Sequence, residues 1–321
     1  MTKKKLVPII ASCIIVVGIV LAVIGYMSGA VFTVVTTKDG LKVIDWKEIE
    51  VETQSLDAFS DIDANLTDTD IKIIPSNDYK IKISKHKELD KEFTYKVDNN
   101  KLIIESKGLL ESNKGLINIT IGGIPQTKIE IYVPQDTTLK NVTVDNKFGD
   151  THLDGLNSDT LKLDSQDADL SFKDINTNSF EIKNNFGDIV ANSVTTKALS
   201  IDMKDGDLEF SSVDANSTDI TNQFGDVTLR DFNSEGLNIK GTDGDIDVDG
   251  LLLGKSMISS NFGDIKVRVS NKESELSYNI DNKFGDITVN SNEYKTNANR
   301  QVKTENNLDM NAKDGDIYLH F

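Results

Sequence analysis

The chain has 321 residues, of which 38% are apolar and 27% charged, with a net charge of −17. That apolar share is enough for a packed core and excludes wholesale disorder. The acidic balance excludes a nucleic-acid binder, because such a chain has too few cations to displace phosphate counterions.

Lys3, Lys4 and Lys5 precede an uncharged stretch from Leu6 to Ala30, whose apolar heart is Ile9 to Ile24. About 20 such residues cross a ~30 Å hydrocarbon layer, and the run exceeds the roughly 7–15 residue core of a signal peptide. The expectation is an uncleaved single-pass membrane anchor, with the lysines in the cytoplasm and everything after Ala30 outside the cell. Ser28-Gly29-Ala30 offers a competing cleavage site. Ile10-Ala11-Ser12-Cys13 offers a lipobox-like one, but it lies close to Lys5 and a long apolar run comes after it. Cys13 is the single cysteine, so the rest of the chain has no disulfide and no thiol metal site. Residues 1–30 are thus read as cytoplasmic tip and anchor, and 31–45 as a linker.

Residues 46–140 read as an irregular, strand-rich part that closes the N-terminal end of a repeating C-terminal region. Candidate strands are Ile71–Ile74, Tyr79–Ser84, Phe93–Val97, Leu102–Glu105, Leu116–Ile121 and Lys128–Val133. Asn65 to Ile71 looks like a degenerate copy of the downstream repeat.

From 141 to 321 the chain repeats. Phe148-Gly149-Asp150, Asp167-Ala168-Asp169, Phe186-Gly187-Asp188, Asp205-Gly206-Asp207, Phe224-Gly225-Asp226, Asp243-Gly244-Asp245 and Phe262-Gly263-Asp264 succeed one another at 19-residue intervals. Phe284-Gly285-Asp286 comes 22 residues later and Asp314-Gly315-Asp316 a further 30. With each Asp as position zero, apolar residues recur at +1, +3, +6, +11 and +13, as in Leu170, Phe172, Ile175, Phe180 and Ile182. The pairs +1/+3 and +11/+13 have the two-residue period of strands, and no helical stripe appears. One such unit has too little apolar surface to stand alone. Equivalent strands of successive turns are therefore expected to pair in parallel about 4.8 Å apart around a shared core. The fold class is all-β, a parallel β-solenoid with turns of about 19 residues, preceded by one transmembrane helix.

Gly149, Gly187, Gly206, Gly225, Gly244, Gly263, Gly285 and Gly315 read as structural turn residues that need positive φ. Ala168 breaks that column and predicts a strained or differently shaped corner. Position −2 alternates between Phe and Asp, and Asn146, Asn184, Asn222 and Asn282 add a partial amide column at −4. The last turn has no visible cap, which leaves room for end-to-end pairing.

The aspartate column is the sharpest chemical feature. Carboxylates about 5 Å apart repel by roughly 1 kcal/mol in water and by more at lower dielectric. One offset is hydrogen bonding from each turn's own backbone N–H groups. The other is calcium, for which Asp188, Asp207, Asp226 and Asp245 are the weaker candidate ligands, because the short Gly-rich calcium repeat is absent. Arg230 and Arg268 at +4, with Asp249 on the intervening turn, read as a surface ion-pair ladder rather than as the groove of a polysaccharide lyase. His86, His152 and His320 are scattered, no catalytic motif appears, and neither a cofactor nor a catalytic residue is expected.

The Phe-Gly-Asp and Asp-Gly-Asp turns, after a strand ending Tyr132-Val133-Pro134, resemble the bacterial family of putative adhesins with a domain of unknown function. That family includes LiaG-like membrane proteins encoded beside a cell-envelope stress-sensing system. The likeness covers about residues 46–321. It implies one N-terminal anchor, an exported β-solenoid and a role in adhesion or envelope stress, and it supplies no catalytic residues. The expected function is therefore that of a non-enzymatic, membrane-anchored surface protein whose partners are wall polymers, glycans or envelope proteins. An accessory of a stress-signalling system is the alternative, and a polysaccharide-acting enzyme is disfavoured.

Overall fold

A computed structural model describes residues 3–28, 33–37, 40–43, 45, 47–87, 93–108, 119–120 and 126–321. Two compact units result, one of Met1–Glu50, His86–Asp90 and Leu109–Pro125, the other of Val51–Lys85, Lys91–Gly108 and Gln126–Phe321.

In the first unit, Lys3–Met27 is helical. Thr33–Thr37 pairs antiparallel with Gly40–Val43 and with Ile119–Thr120, so the stretch read as a linker holds two strands. Most of the expected strand Leu116–Ile121 lies outside the described residues. The single-pass anchor is corrected here. Among the described residues no helix is long and apolar enough to cross a membrane. The placement at the cell membrane, with the C-terminal part outside, falls with it.

The second unit is a β-solenoid-like repeat. Leu170–Phe186, Ile189–Asp205 and Leu208–Phe224 run in parallel at a constant offset, Phe172↔Ala191↔Phe210 and Ile182↔Ile201↔Ile220. All five apolar columns point inward. Leu170, Phe172, Ile175, Phe180 and Ile182 are at most 2% exposed, and the Phe172 and Phe180 rings meet edge to face at 5.1 Å. Each turn covers the apolar face of the next, and this coverage makes the stack cooperative.

The turns do not stack in chain order at either end. Asp61–Leu66 and Thr69–Ser76 form the degenerate turn seen in the sequence. It lies between the 138–154 turn and a turn made of Lys101–Ser106 and Thr127–Pro134. Phe93–Asp98 and Lys80–His86 then add antiparallel to that outer turn. At the other end Ser277–Phe284 and Ile287–Val289 form the outermost turn. Asn307–Asp314 and Ile317–His320 insert between it and the Asp264 turn. Asn297–Arg300 and Asn292–Tyr294 close the outer turn with antiparallel pairs. The expectation of an uncapped last turn is thereby corrected: the final segment is interior to the stack, and the edge strands are short and polar.

Candidate functional site

The corner before each first strand is built from three columns. All eight predicted glycines have φ between +106° and +139°. A Cβ at Gly206 would lie 2.2 Å from the backbone oxygen of Gly187, so stacking requires the missing side chain as much as the dihedral does. Ala168 keeps an ordinary φ, the differently shaped corner that its side chain predicts.

Inside the corner, each buried asparagine of the −4 column bridges two carbonyls. Asn184 Nδ2 donates to the oxygens of Ala168 (2.9 Å) and Gly187 (3.1 Å), and Asn222 Nδ2 to those of Gly206 (3.1 Å) and Gly225 (3.0 Å). One amide with two N–H groups serves two turns, so from Asn146 to Asn222 asparagine is needed only at alternate levels, while Ser260 stands at the next such level. The amide oxygens of Asn146, Asn184, Asn222 and Asn282 are buried without a partner, a cost set against those bonds. Asn222→Ala is expected to lower stability by about 2–3 kcal/mol, because it strands two corner carbonyls and opens a cavity. Urea unfolding midpoints would show it, and a shift smaller than that of a surface substitution would refute the bridging role.

Outside the corner, ten aspartates form one ladder, in stacking order Asp70, Asp150, Asp169, Asp188, Asp207, Asp226, Asp245, Asp264, Asp316 and Asp286. The backbone N–H of each donates to Oδ1 of the one before it, at 2.8–3.2 Å. The bond therefore comes from the neighbouring turn, which corrects the expectation of an aspartate capping its own turn. At the corners engaged by Asn146, Asn184 and Asn222 the carbonyl is already bonded and the carboxylate accepts this N–H; the same rung forms at Asp264 and Asp316, which have Ser260 and Ala312 in the −4 column. Charge-assisted bonds of this kind contribute roughly 1.5–3 kcal/mol each and offset the repulsion between levels. The ladder ends on cations: Lys128 Nζ is 3.5 Å from Asp70, and Lys295 Nζ is 3.0 Å from Asp286. Lys266 lies between Asp245 and Asp264; burial opposes its charge, but the two carboxylates hold its pKa above the ordinary value. Tyr318 donates to Asp316, and this bond together with burial raises its pKa.

The calcium candidates Asp188, Asp207, Asp226 and Asp245 each contribute one carboxylate per level, with Oδ1 already engaged. Among the described residues, no group of three His, Cys, Asp or Glu could hold a metal ion. Arg268 pairs with Asp247 (2.6 Å) and Asp249 (3.5 Å), whereas Arg230 pairs with Glu209, so the two arginines do not share Asp249. The histidines stay apart. His86 bonds the backbone oxygen of Asp45. His152 Nδ1 meets Ser171 Oγ at 3.2 Å on a flat sheet face; burial and then Lys72 lower its pKa.

The −2 column forms an edge of the solenoid. Along the stack it reads Phe148, Asp167, Phe186, Asp205, Phe224, Asp243, Phe262, Asp314, Phe284. The five rings are 38–58% exposed. In chain order Phe262 and Phe284 would be neighbours, and the inserted turn places Asp314 between them, so the alternation is kept throughout.

The family described as Toastrack DUF4097 matches residues 59–320, most of the solenoid and its ends. The chain belongs to the Toastrack DUF4097 family. No curated protein matches it. Among solved structures, the chain is similar to a putative adhesin from Bacteroides fragilis NCTC 9343 at 14% identity and a TM-score of 0.42, covering 86% of this chain and 98% of that one. A putative adhesin from Parabacteroides distasonis ATCC 8503 matches at 10% identity and a TM-score of 0.44, covering 84% and 96%. A protein from the same organism named as a putative lipid binding protein matches at 10% and 0.43, covering 84% and 97%.

Proposed function

We propose that this Toastrack chain is a non-enzymatic binding module that presents a repeating edge to an extended polymer of the cell envelope, such as a wall polymer or glycan. The observation that carries this reading is the Phe/Asp edge. Five exposed rings in register are an apolar surface of the kind that marks an interaction site, and folding alone would favour polar residues there. Successive rings are two turns apart, about 10 Å, and the aspartates between them accept hydrogen bonds from hydroxyl groups. A polymer with a repeating unit of that length meets the same chemistry at each step, so weak contacts add along the edge.

The test is retention of envelope polymers and neutral glycans by the purified full chain, with and without Phe148→Ala/Phe186→Ala. Both rings are exposed, so the double variant should unfold as the wild type does while binding falls at least tenfold. Equal retention by the variant, or none by the wild type, would refute the edge as a binding surface.

A further inference from the structure

A shallow groove of about 610 Å³ runs along the outer sheet face beside the C-terminal half of that edge, over the turns ending at Asp226 to Asp286. Lys240, Lys283 and Lys313 line it together with hydroxyl and amide side chains, among them Thr242, Ser259 and Asn261, and no carboxylate lines it. In a chain of net charge −17, three ammonium groups converging on a carboxylate-free surface need a reason.

The neighbouring acids do not supply one. Asp219, Asp281 and Asp309 lie on the same face, and each carboxylate is taken by an asparagine amide: Asn238 at 3.0 Å, Asn279 at 3.2 Å and Asn307 at 2.8 Å. Among the described residues, none of the three lysines forms an ion pair, in contrast to Lys266 and Arg268, which sit between aspartates. Two of the lysines instead reach the aromatic edge, Lys313 Nζ 5.5 Å from the Phe262 ring centre and Lys283 Nζ 5.3 Å from that of Phe284. Groove and edge are thus one continuous surface, with cations, hydroxyls, amides and aromatic faces side by side and Asp243 and Asp314 confined to the edge between the rings.

We infer that this groove binds an anionic, hydroxyl-rich polymer segment, with Lys240, Lys283 and Lys313 on its anionic groups and the Ser, Thr and Asn side chains on its hydroxyls. Lysine suits this task because its ammonium is a mobile point charge that adapts to an irregular row of anions. The rest of the protein repels a polyanion, but at physiological ionic strength that repulsion is screened beyond about 8 Å, and the groove acts locally. The inference rests on the polymer-binding reading above and narrows its ligand.

The test is titration calorimetry of the full chain at 0.15 M salt with poly(glycerol phosphate) and with oligogalacturonate. Those two arms separate phosphate from carboxylate, and inorganic phosphate and neutral dextran serve as controls. Binding of either polyanion should fall at least tenfold in Lys240→Gln/Lys283→Gln/Lys313→Gln and stay within twofold in Lys96→Gln/Lys173→Gln/Lys197→Gln, which removes the same charge from exposed positions outside the groove. Polyanion binding unaffected by the triple variant overturns the inference. So does binding of neutral glycan alone, which leaves the edge reading standing. If no polymer of either kind binds, both readings fall.

Discussion

Gly206→Ala is expected to cost roughly 3 kcal/mol or more and to lower the urea midpoint accordingly. Two independent effects add at this position. The backbone has φ +138°, a region costing an L-residue about 1–3 kcal/mol. The new methyl would also meet the Gly187 backbone oxygen at 2.2 Å, and no rotamer change relieves a clash with backbone. Relief requires the two turns to separate, which loosens the rung between them, from the Asp207 N–H to Asp188 Oδ1. Gly236 is the control. A Cβ there finds its nearest neighbour at 3.6 Å and φ is not strained, so Gly236→Ala should fall within about 0.5 kcal/mol of wild type. Equal midpoints for the two variants would mean that the corners do not press on one another in solution.

The same corner shows why part of the fold was legible in the sequence. A stacked turn must place the same backbone at the same level each time, so each positional demand becomes a column at a 19-residue spacing. The glycines, the aspartates and the inward Leu170, Phe172, Ile175, Phe180 and Ile182 could all be read in this way. A second left-handed corner at +5 was not recognised. Gly155, Asp174, Ser193, Ser212 and Asp231 adopt φ between +47° and +62° there, and their shared smallness or turn chemistry is a weak signal beside a column of glycines that only Ala168 interrupts. The partner of each aspartate was also hidden, because a carboxylate that bonds the next turn and one that bonds its own leave the same residue in the sequence. The groove lysines were invisible for a further reason. Lys240, Lys283 and Lys313 come from turns of unequal spacing, and only the insertion of the last turn brings them to one surface.

Removal of residues 307–321 is the perturbation that should reach furthest. If turns stacked in chain order, this deletion would trim one free end and leave the 277–289 turn paired on the Asp264 turn. In the observed order the deleted segment is the middle layer. Asn307–Asp314 and Ile317–His320 pair with the Asp264 turn on one side and with 277–289 on the other. Leu308, Met310, Ile317 and Leu319, each at most 1% exposed, fill the core between them. Losing four such side chains removes on the order of 8 kcal/mol of burial. It also leaves Ser277–Phe284 with only its four antiparallel pairs to Asn297–Arg300, and a two-stranded ribbon of that kind is marginal in water. Hydrogen exchange on the truncated chain should therefore show residues 277–300 unprotected, while the turns from Asp150 to Asp245 keep their protection, since each contacts its nearest neighbours alone. Protection retained at Ile280 and Ile287 would mean that the 277–289 turn docks directly on the Asp264 turn. The insertion, the unbroken Phe/Asp alternation and the convergence of the three lysines would then fail together.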